Sequence, residues 1–332
     1  MSEPESSSGF LLRGFAVLVF LLQFFPLAGK RYRLSRWGIP SANYSGIASL
    51  GGNRYVVVSD EGSMSGFYIW EIEVDSLSGH IVEVKNNGFR GGDWPYQRDA
   101  EDVAFCVQRG SLFVSGEADQ RILEYAFDGN PTGEELKTPK DFSIKEIQPN
   151  RGFEALAYDS LNEVFWTCTE SPTLDALKRN PHTLDLTIVG FSADLHPKCT
   201  YPYRLDAPQA REKGGDYYHG VVAMTPLSDG SLLVLEREAR ISKRGNGSRC
   251  WVKLFRYIPE TGKKQLVEQW HTRFHLLNTR FANYEGMCLG PVLSDGTQTL
   301  LLLSDAQAGK GKALWHLKDY LNIVRLPRFS SR

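Results

Sequence analysis

The sequence lacks the features that mark several large protein classes. Its 38 basic and 39 acidic residues leave a net charge of −1, so no basic excess predicts a nucleic-acid partner. The five cysteines are scattered and none forms a C-x-x-C pair, which predicts neither a zinc site nor a disulfide framework. There is no G-x-S-x-G elbow, P-loop, dinucleotide fingerprint or EF-hand loop. A serine esterase of the α/β-hydrolase type is therefore not supported.

Only one long hydrophobic run is present. After a polar head, residues 1–8, that we expect to be disordered, residues 9–29 read GFLLRGFAVLVFLLQFFPLAG, with Arg13 as the only charge. We interpret this run as an export signal or membrane anchor, which would place the protein outside the cytoplasm, in the periplasm or secreted. The acidic head, the missing A-x-A site and the basic cluster after the run argue against export. The alternative is a buried strand or helix of the globular domain.

Helical periodicity is also scarce beyond residue 37, and short apolar runs alternate with Gly, Asp, Asn and Pro turns instead. Five of these runs resemble one another, which indicates an internal repeat. They are NYSGIASL from Asn43, DAEDVAFC from Asp99, RGFEALAY from Arg151, YYHGVVAM from Tyr217 and NYEGMCLG from Asn283. Aligned on their central position, they place Gly46, Asp102, Ala155, Gly220 and Gly286 in one column.

Each repeat continues with a turn and a second apolar strand that ends in an acid. Further strand-like pieces follow, which in the fifth repeat are ALWHLK and NIVRL. Four strands per repeat of about fifty residues is typical of a β-propeller blade. The sequence thus predicts an all-β propeller over residues 38–326 with four-stranded antiparallel blades, five visible and six allowed. A β-sandwich or a pair of barrels is the alternative, but neither predicts a repeated pair of acids.

The repeated acids should meet at one end of the channel. The first strand of a blade lies innermost and the second returns beside it, so the start of one and the end of the other share a face. The starting column reads Ser45, Glu101, Glu154, His219 and Glu285, and the closing column reads Asp60, Glu117, Glu170, Glu236 and Asp305. Because two like charges about 4 Å apart cost about 4 kcal/mol near a surface, such a ring needs compensation.

A divalent cation, arginines or shared protons could each supply that compensation. The predicted ligands of Ca²⁺ or Mg²⁺ are the eight acids Glu101, Glu154, Glu285, Glu117, Glu170, Glu236, Asp60 and Asp305. The structural alternative is that each acid accepts hydrogen bonds from backbone amides of the next blade and only fixes the turns. His219, which replaces glutamate in the fourth repeat, is the best single candidate for proton transfer, although a hydrogen-bonded strand-end histidine is an equally ordinary role.

The order of these motifs resembles the family described as "esterase-like activity of phytase", or phytase-like. The resemblance is carried by SGIASL with VVSDEG, DAEDVAF with VSGEADQRILEY, NRGFEALAYD, LLVLERE and NYEGMCLG with LLLSD, across residues 40–320. It implies a propeller fold and hydrolysis of an ester or phosphomonoester. The R-H-G-x-R-x-P motif of histidine-acid phytases is missing.

Two function hypotheses follow. In the first, a cation at the channel mouth polarises a phosphoryl oxygen of a small substrate, Glu154 and His219 act as catalytic residues, and Arg237, Arg121 or Arg151 clamps the phosphate. In the second, a non-catalytic propeller binds a ligand or protein partner, and the acids are inter-blade clasps. Under both hypotheses we expect a monomer. The first hypothesis also predicts that cationic side chains lie in the same channel mouth as the acids.

Overall fold

Runs of β-branched and aromatic residues between Gly, Asn and Asp turns form twenty-one strands in the described part of a computed structural model. The structure describes residues 29–60, 64–93, 98–210, 216–242, 246–275, 278–279, 281–305 and 318–329. The strands form five antiparallel sheets, each with its strands in sequence order from the innermost outwards, apart from the outer edge of the fifth sheet. The prediction of an all-β propeller is confirmed, and the number of blades is five.

The blades follow one another along the chain. Blade 1 consists of β2 (Tyr44–Gly51), β3 (Arg54–Ser59), β4 (Met64–Val74) and β5 (Ile81–Asp93). Blade 2 consists of β6 (Ala100–Cys106), β7 (Ser111–Gly116), β8 (Arg121–Tyr125) and β9 (Pro131–Glu135). Blade 3 consists of β10 (Phe153–Asp159), β11 (Val164–Thr169), β12 (Asp185–Ser192) and β13 (Pro197–Arg204).

The last two blades complete the disc. Blade 4 consists of β14 (Asp216–Pro226), β15 (Leu232–Ile241), β16 (Arg249–Ile258), β17 (Lys263–His275) and the short β18 (Asn278–Thr279). Blade 5 consists of β19 (Asn283–Val292), β20 (Gln298–Asp305), β21 (Tyr320–Arg325) and, at its outer edge, β1 (Lys30–Arg33).

The ring is closed by the start of the propeller chain. Strand β1 pairs antiparallel with β21, with Lys30 opposite Ile323 and Arg33 opposite Tyr320. The fourth strand of blade 5 therefore comes from residues before position 38, where the sequence places the start of the propeller. Most of ALWHLK, predicted to supply a strand of this blade, lies outside the described residues, as does the predicted signal or anchor segment except for Gly29.

Helix is rare in this structure. The α-helix α1 (Leu174–Arg179) follows blade 3's second strand, and 3-10 turns occupy Leu34–Trp37 and Lys140–Phe142. The Thr173 side chain caps α1 by accepting a hydrogen bond from the amide of Ala176. Within the described ranges, no helix combines the length and the hydrophobicity needed to cross a membrane.

The hydrophobic core is divided among the spaces between neighbouring blades. One cluster, for example, joins blades 5 and 1 and contains Tyr44, Tyr55 and Trp70 together with Leu301 and Leu303. The Tyr44 and Trp70 rings meet edge to face with centroids 4.8 Å apart. Burying each large apolar side chain contributes about 1.5–3 kcal/mol, so the blades stabilise one another rather than folding alone.

Candidate functional site

The predicted meeting of strand starts and strand ends is present at one face of the disc, called here the upper face. The amide of Glu117 donates to the carbonyl of Asp99 at 2.8 Å, and the amide of Glu170 donates to the carbonyl of Gly152 at 2.7 Å. Blade 1 has the same bond from Asp60 to Asn43. These bonds hold each closing acid beside the start of its own inner strand.

Strand register corrects the sequence alignment in blade 4. Each inner strand has a β-bulge near its start, and in blades 3 and 5 the bulged residues are Glu154 and Glu285. In blade 4 the bulge falls at Val222, because Val221 pairs with Glu236 and Ala223 pairs with Leu235. The central column therefore contains Ala223 rather than Gly220, and the alignment of YYHGVVAM was wrong by three residues.

The corrected register changes the membership of both rings. The inner ring consists of Ser45, Glu101, Glu154, Val222 and Glu285, and the closing ring consists of Asp60, Glu117, Glu170, Arg237 and Asp305. His219 and Glu236, both predicted ring members, thus lie outside the ring positions. The separation from Val222 to Arg237 is 15 residues, the same as from Ser45 to Asp60.

The lining of the channel changes from acidic to apolar below the inner ring. The next inward-facing residue of each strand is apolar and almost fully buried: Ile47, Val103, Leu156, Met224 and Met287. Five apolar side chains at this level leave the glutamates with water on one side only. This arrangement explains why the glutamate carboxylates are strongly desolvated.

Three inner-ring glutamates have raised pKa values. Burial is the largest cause for Glu101, Glu154 and Glu285, since a desolvated carboxylate is disfavoured. Repulsion adds to it: Glu154 and Glu117 raise the pKa of Glu101, Glu170 raises that of Glu154, and Asp305 raises that of Glu285. These groups therefore hold protons at a pH where an ordinary carboxylate is ionised.

Arg237 partly neutralises this ring from within. Its guanidinium donates to Glu170 Oε1 at 2.5 Å through Nη2, and to Glu285 Oε1 and Asn283 Oδ1 through Nη1. Burial would lower the pKa of Arg237, but Glu285, Glu170 and Glu154 outweigh that effect and raise it. Arg237 joins blades 3, 4 and 5, and these partners occupy both of its terminal nitrogens.

Arg151 is the second cation of the upper mouth. It donates to Glu170 Oε2 and to the carbonyl of Tyr217, both at 2.6 Å, and its guanidinium lies 4.4 Å from the centre of the Tyr218 ring. Arg237 approaches the same ring. The arginines thus share the mouth with the acids, as a phosphate enzyme requires. Arg121, the third predicted clamp, pairs with Glu135 of its own blade.

A compact group of carboxylates lies at the start of blade 2. Asp99, Glu101 and Glu117 each place an oxygen within 4.8 Å of the other two. Burial raises the pKa of Asp99 and raises that of Glu117 to about 7. Carboxylate oxygens are the ligands that Ca²⁺ and Mg²⁺ prefer, so this group fits a hard divalent cation.

Two carboxylates of the inner ring are available to a ligand. Glu101 and Glu154 are 9% and 6% exposed, and no described residue donates a hydrogen bond to either carboxylate. The Arg237 Nε atom is also buried without a partner in the described part of the chain. Buried polar groups normally have partners, so these atoms point to a bound ion, water or substrate.

Other acids and polar residues of the upper face are clasps between blades. Glu117 Oε1 accepts the amide of Gly152 at 2.6 Å, and Asp102 Oδ2 accepts the amide of Leu156 at 2.9 Å. Ser45 Oγ donates to the carbonyl of Ala100 at 2.6 Å. Asp102 and one oxygen of Glu117 therefore have the structural role of accepting backbone amides of the next blade. Glu101 and Glu154 do not have this role.

His219 and Glu236 lie in a different environment. His219 lines a small pocket with Glu236, Glu238 and Lys253, and burial, the largest effect, lowers the pKa of His219. Glu236 accepts hydrogen bonds from Tyr203 at 2.8 Å and Lys264 at 2.5 Å. A glutamate already satisfied by a lysine and a tyrosine is a poorer cation ligand than Glu101.

Sequence reasoning missed three contributors to the site. Asp99, just before β6, and Asn283, the first residue of β19, occupy the same position relative to the inner ring. Asn43 and Asp99 have positive φ angles of 48° and 56°. Asn and Asp tolerate this left-handed conformation, so their recurrence before the strands was an available signal. Tyr218 had no signal, because its role depends on two arginines from different blades.

The fold and the carboxylate rings define the class as a five-bladed β-propeller with an acidic channel mouth. The chain belongs to the phytase-like family, described as "Esterase-like activity of phytase", which it matches over residues 39–306. This match confirms the resemblance found in the motifs. The comparison with curated proteins returns no match.

Several solved structures align with the chain at low sequence identity. An endo-arabinase from Bacteroides thetaiotaomicron aligns at 14% identity with a TM-score of 0.46, covering 92% of this chain and 97% of the enzyme. The PQQ-bound aldose sugar dehydrogenase from Streptomyces coelicolor aligns at 14% identity and a TM-score of 0.45, covering 90% and 99%. The periplasmic gluconolactonase PpgL from Pseudomonas aeruginosa aligns at 15% identity and 0.36, covering 84% and 72%.

Proposed function

We propose that this protein hydrolyses esters at its acidic upper mouth, with small phosphate monoesters as the first substrate class and a divalent cation as cofactor. The observation that supports this proposal is the pair of buried carboxylates, Glu101 and Glu154, that have no hydrogen-bond partner among the described residues. Buried groups of this kind are costly to keep unless they serve a ligand or a reaction.

The charge of the mouth makes a cation necessary for an anionic substrate. Eight described carboxyl groups, Asp60, Asp99, Glu101, Glu117, Glu154, Glu170, Glu285 and Asp305, face two guanidinium groups, Arg151 and Arg237. Even when Glu101, Glu154 and Glu285 hold protons, five other carboxyl groups outnumber the two guanidinium groups, so a phosphate ester entering this field would be repelled. Asp99, Glu101 and Glu117 would hold Ca²⁺ or Mg²⁺, which when bound would attract the phosphate and polarise its oxygen.

The other residues have separate roles in this proposal. Glu154, whose pKa is raised by burial and by Glu170, would hold a proton and donate it to the leaving oxygen of the ester. Arg237 would fix the orientation of Glu170 and Glu285 rather than clamp the substrate, because those acids already bind its terminal nitrogens. Arg151 also binds Glu170 and the Tyr217 carbonyl through its terminal nitrogens, but 21% of its side chain is exposed against 3% for Arg237, so a phosphate can reach it more easily.

The proposal includes a proton-carrier role for His219, monomeric action and an extracytoplasmic location. His219 would be a proton carrier only if the substrate extends into its pocket beside Glu238 and Lys253. Monomeric action and an extracytoplasmic location, periplasmic or secreted, are kept as part of the proposed function. The cation would then be drawn from a compartment where Ca²⁺ is abundant.

The second candidate is a non-catalytic propeller that binds a ligand or partner. The clasps from Glu117 to Gly152 and from Asp102 to Leu156 favour it, because they show that acids of this face also serve structure. In that case the Glu101 and Glu154 pair would bind a cation or a hydroxylated ligand without turnover.

The decisive test is a panel of phosphate monoesters and carboxylic esters, assayed with Ca²⁺, Mg²⁺ or chelator. We expect phosphatase activity that requires the cation, and a fall of about 10²–10⁴-fold in kcat for Glu154→Gln, the range for loss of a general acid. Asp99→Asn should weaken cation binding, measured by calorimetry. Glu134→Gln, at an exposed position on β9, is the matched control.

The outcomes separate the two candidates. Cation binding that depends on Asp99, without turnover of any ester, supports the binding protein and contradicts the hydrolase. If hydrolysis of carboxylic esters persists with chelator but is lost in Glu154→Gln, Glu154 keeps its proposed catalytic role and the cation has none. Full activity in Glu154→Gln would remove this glutamate from the proposed chemistry.

A further inference from the structure

The face opposite the acidic mouth, called here the lower face, exposes apolar side chains on its turns. This face is formed by the turns that follow the first and third strands of each blade. Five large apolar residues lie exposed on or next to these turns: Leu77, Val107, Phe127, Leu161 and Val292. Leu77 and Leu161 are 76% and 69% exposed. Among the described residues they come from blades 1, 2, 3 and 5 and not from blade 4, so exposed apolar side chains are spread over most of this face.

The channel opens on this face through a cavity that is lined by both apolar and polar side chains. The cavity has a volume of about 400 Å³ and begins directly below the buried layer that closes the acidic mouth. Its outer lining includes Phe105, Tyr158, Pro226 and Leu289, one from each of four inner strands. Ser49, Asp159 and Ser228 also line this cavity, so the lower end is mixed in polarity, but it has one carboxylate where the upper mouth has a ring of them.

The chain enters the propeller from the same lower face. Strand β21 descends from the upper face, and β1 pairs with it antiparallel, so β1 rises from below. Lys30, its first residue, has its Nζ atom 3.5 Å from Nδ1 of His80, which follows the lower turn of blade 1. The apolar sequence 9–29 immediately precedes this strand and therefore joins the propeller at its lower face.

We infer that the lower face docks on a zwitterionic lipid bilayer, with the apolar sequence 9–29 as the anchor and the acidic mouth turned away from the lipid. Two observations agree on one face: exposed apolar turns and the entry point of the apolar sequence. Apolar side chains of this kind bury at the boundary between headgroups and acyl chains. The inference stands whether or not the upper mouth is an enzyme site.

The charge of the turns selects the kind of lipid. Asp75, Asp128 and Asp295 lie on lower turns, and hydrogen bonds from their own turns lower their pKa values, which keeps them ionised. Asp295 is paired with Arg325 at 3.5 Å, so Asp75 and Asp128 are the carboxylates that an anionic membrane surface would repel. Phosphatidylcholine, whose outermost group is a cation and whose net charge is zero, would not.

The test measures which face meets the lipid in the full-length chain. Single cysteines are introduced at Leu161→Cys and Val292→Cys on the lower face and at Met64→Cys, at the upper start of β4, as the control. The background carries Cys199→Ser, because Cys199 is half-buried while Cys106, Cys168, Cys250 and Cys288 are buried. Each single-cysteine protein is labelled with a fluorophore and mixed with phosphatidylcholine vesicles that contain a quencher-labelled lipid.

We expect the protein to float with the vesicles and the labels at positions 161 and 292 to lose most of their fluorescence, while the label at 64 keeps it. Failure to float, or equal quenching at all three positions, overturns the inference. Preference for phosphatidylserine vesicles also overturns it. Loss of fluorescence at 161 and 292 without vesicles, rising with protein concentration, would assign this face to a second copy of the chain instead.

Discussion

Arg237 is the closing residue of blade 4, whereas the closing residue of each of the other four blades is an acid. Its two terminal nitrogens bind Glu170 and Glu285, so a single guanidinium connects blade 3 to blade 5 across blade 4. Because Arg237 is only 3% exposed, its charge is stable in the folded protein only next to these two acids, and the two buried acids in turn are stabilised by its charge. The acidic mouth can exist because one of its ten ring positions is basic.

Removing this arginine should destabilise the whole ring. We expect Arg237→Gln to lower the free energy of unfolding by about 3–5 kcal/mol, because Glu285 loses its cationic partner and Glu170 keeps only Arg151. Urea denaturation checks this value. Arg204→Gln, which breaks the exposed pair with Asp185, should cost less than about 1 kcal/mol. Similar losses in the two variants would contradict the assigned role of Arg237.

The buried glutamates of the mouth should make the free energy of unfolding decrease as pH rises. The pKa of Glu117 is raised from 4.5 to about 7 in the folded protein, so the folded state binds more protons than the unfolded state across this interval. Its stabilising contribution is therefore complete below pH 4.5 and is lost as pH rises through 7. Glu101, Glu154 and Glu285 shift in the same direction.

Thermal melts between pH 4.5 and 8 with chelator measure this effect. We expect Tm to decrease across the range, the slope to become shallower in Glu117→Gln, and Ca²⁺ to restore Tm at the upper end. Glu134→Gln should keep the slope of the unmodified protein. A Tm that rises with pH would show that paired carboxylates elsewhere dominate.

At the scale of the element, the bulge in each inner strand positions the site. It places Glu154 and Glu285 without a direct cross-strand partner, free to face the channel. The same device places Val222 in blade 4, where the glutamate is replaced by an apolar side chain. The inner ring is therefore open on the side of blade 4, where Arg237 of the closing ring reaches in.

Strand β1 is the element that closes the disc, and its loss should be costly. A chain starting at Lys30 should keep the stability of the described propeller, whereas a chain starting at Leu34 should lose it. The second variant removes buried Tyr32, worth about 1.5–3 kcal/mol by itself, and exposes the edge of β21. Calorimetry gives the Tm difference and size-exclusion chromatography detects aggregation. Equal Tm values would mean that β1 adds nothing.

At the scale of the whole molecule, the channel is divided into two unlike halves. The layer of Ile47, Val103, Leu156, Met224 and Met287 separates the acidic mouth from the lower cavity. The mouth is therefore closed at its lower end, and any ligand that it binds must enter and leave by the upper face. A propeller that faces a membrane with its lower side would keep that entrance open.

The sequence by itself determined the class of the fold and revealed five of its blades, whereas the structure decided that there is no sixth blade among the described residues. Each unit carries its own signal, an apolar strand, a Gly or Asn turn and a second strand ending in an acid, and these signals are local. The same local pattern identified Glu101, Glu154, Glu285 and their closing acids Asp60, Glu117, Glu170 and Asp305. It also identified the family, since the motifs occur in one order along the chain.

Only the tertiary structure decided the register of blade 4, the closing strand and the protonation of the mouth. Tyr217–Met224 looks like the other repeats in composition, but the pairing of Val221 with Glu236 moves Arg237 into the ring and His219 out of it. Strand β1 pairs with β21 across almost the whole chain, and no local signal encodes such a contact. The raised pKa values arise because residues distant in sequence remove water from one side of the glutamates and place like charges on the other.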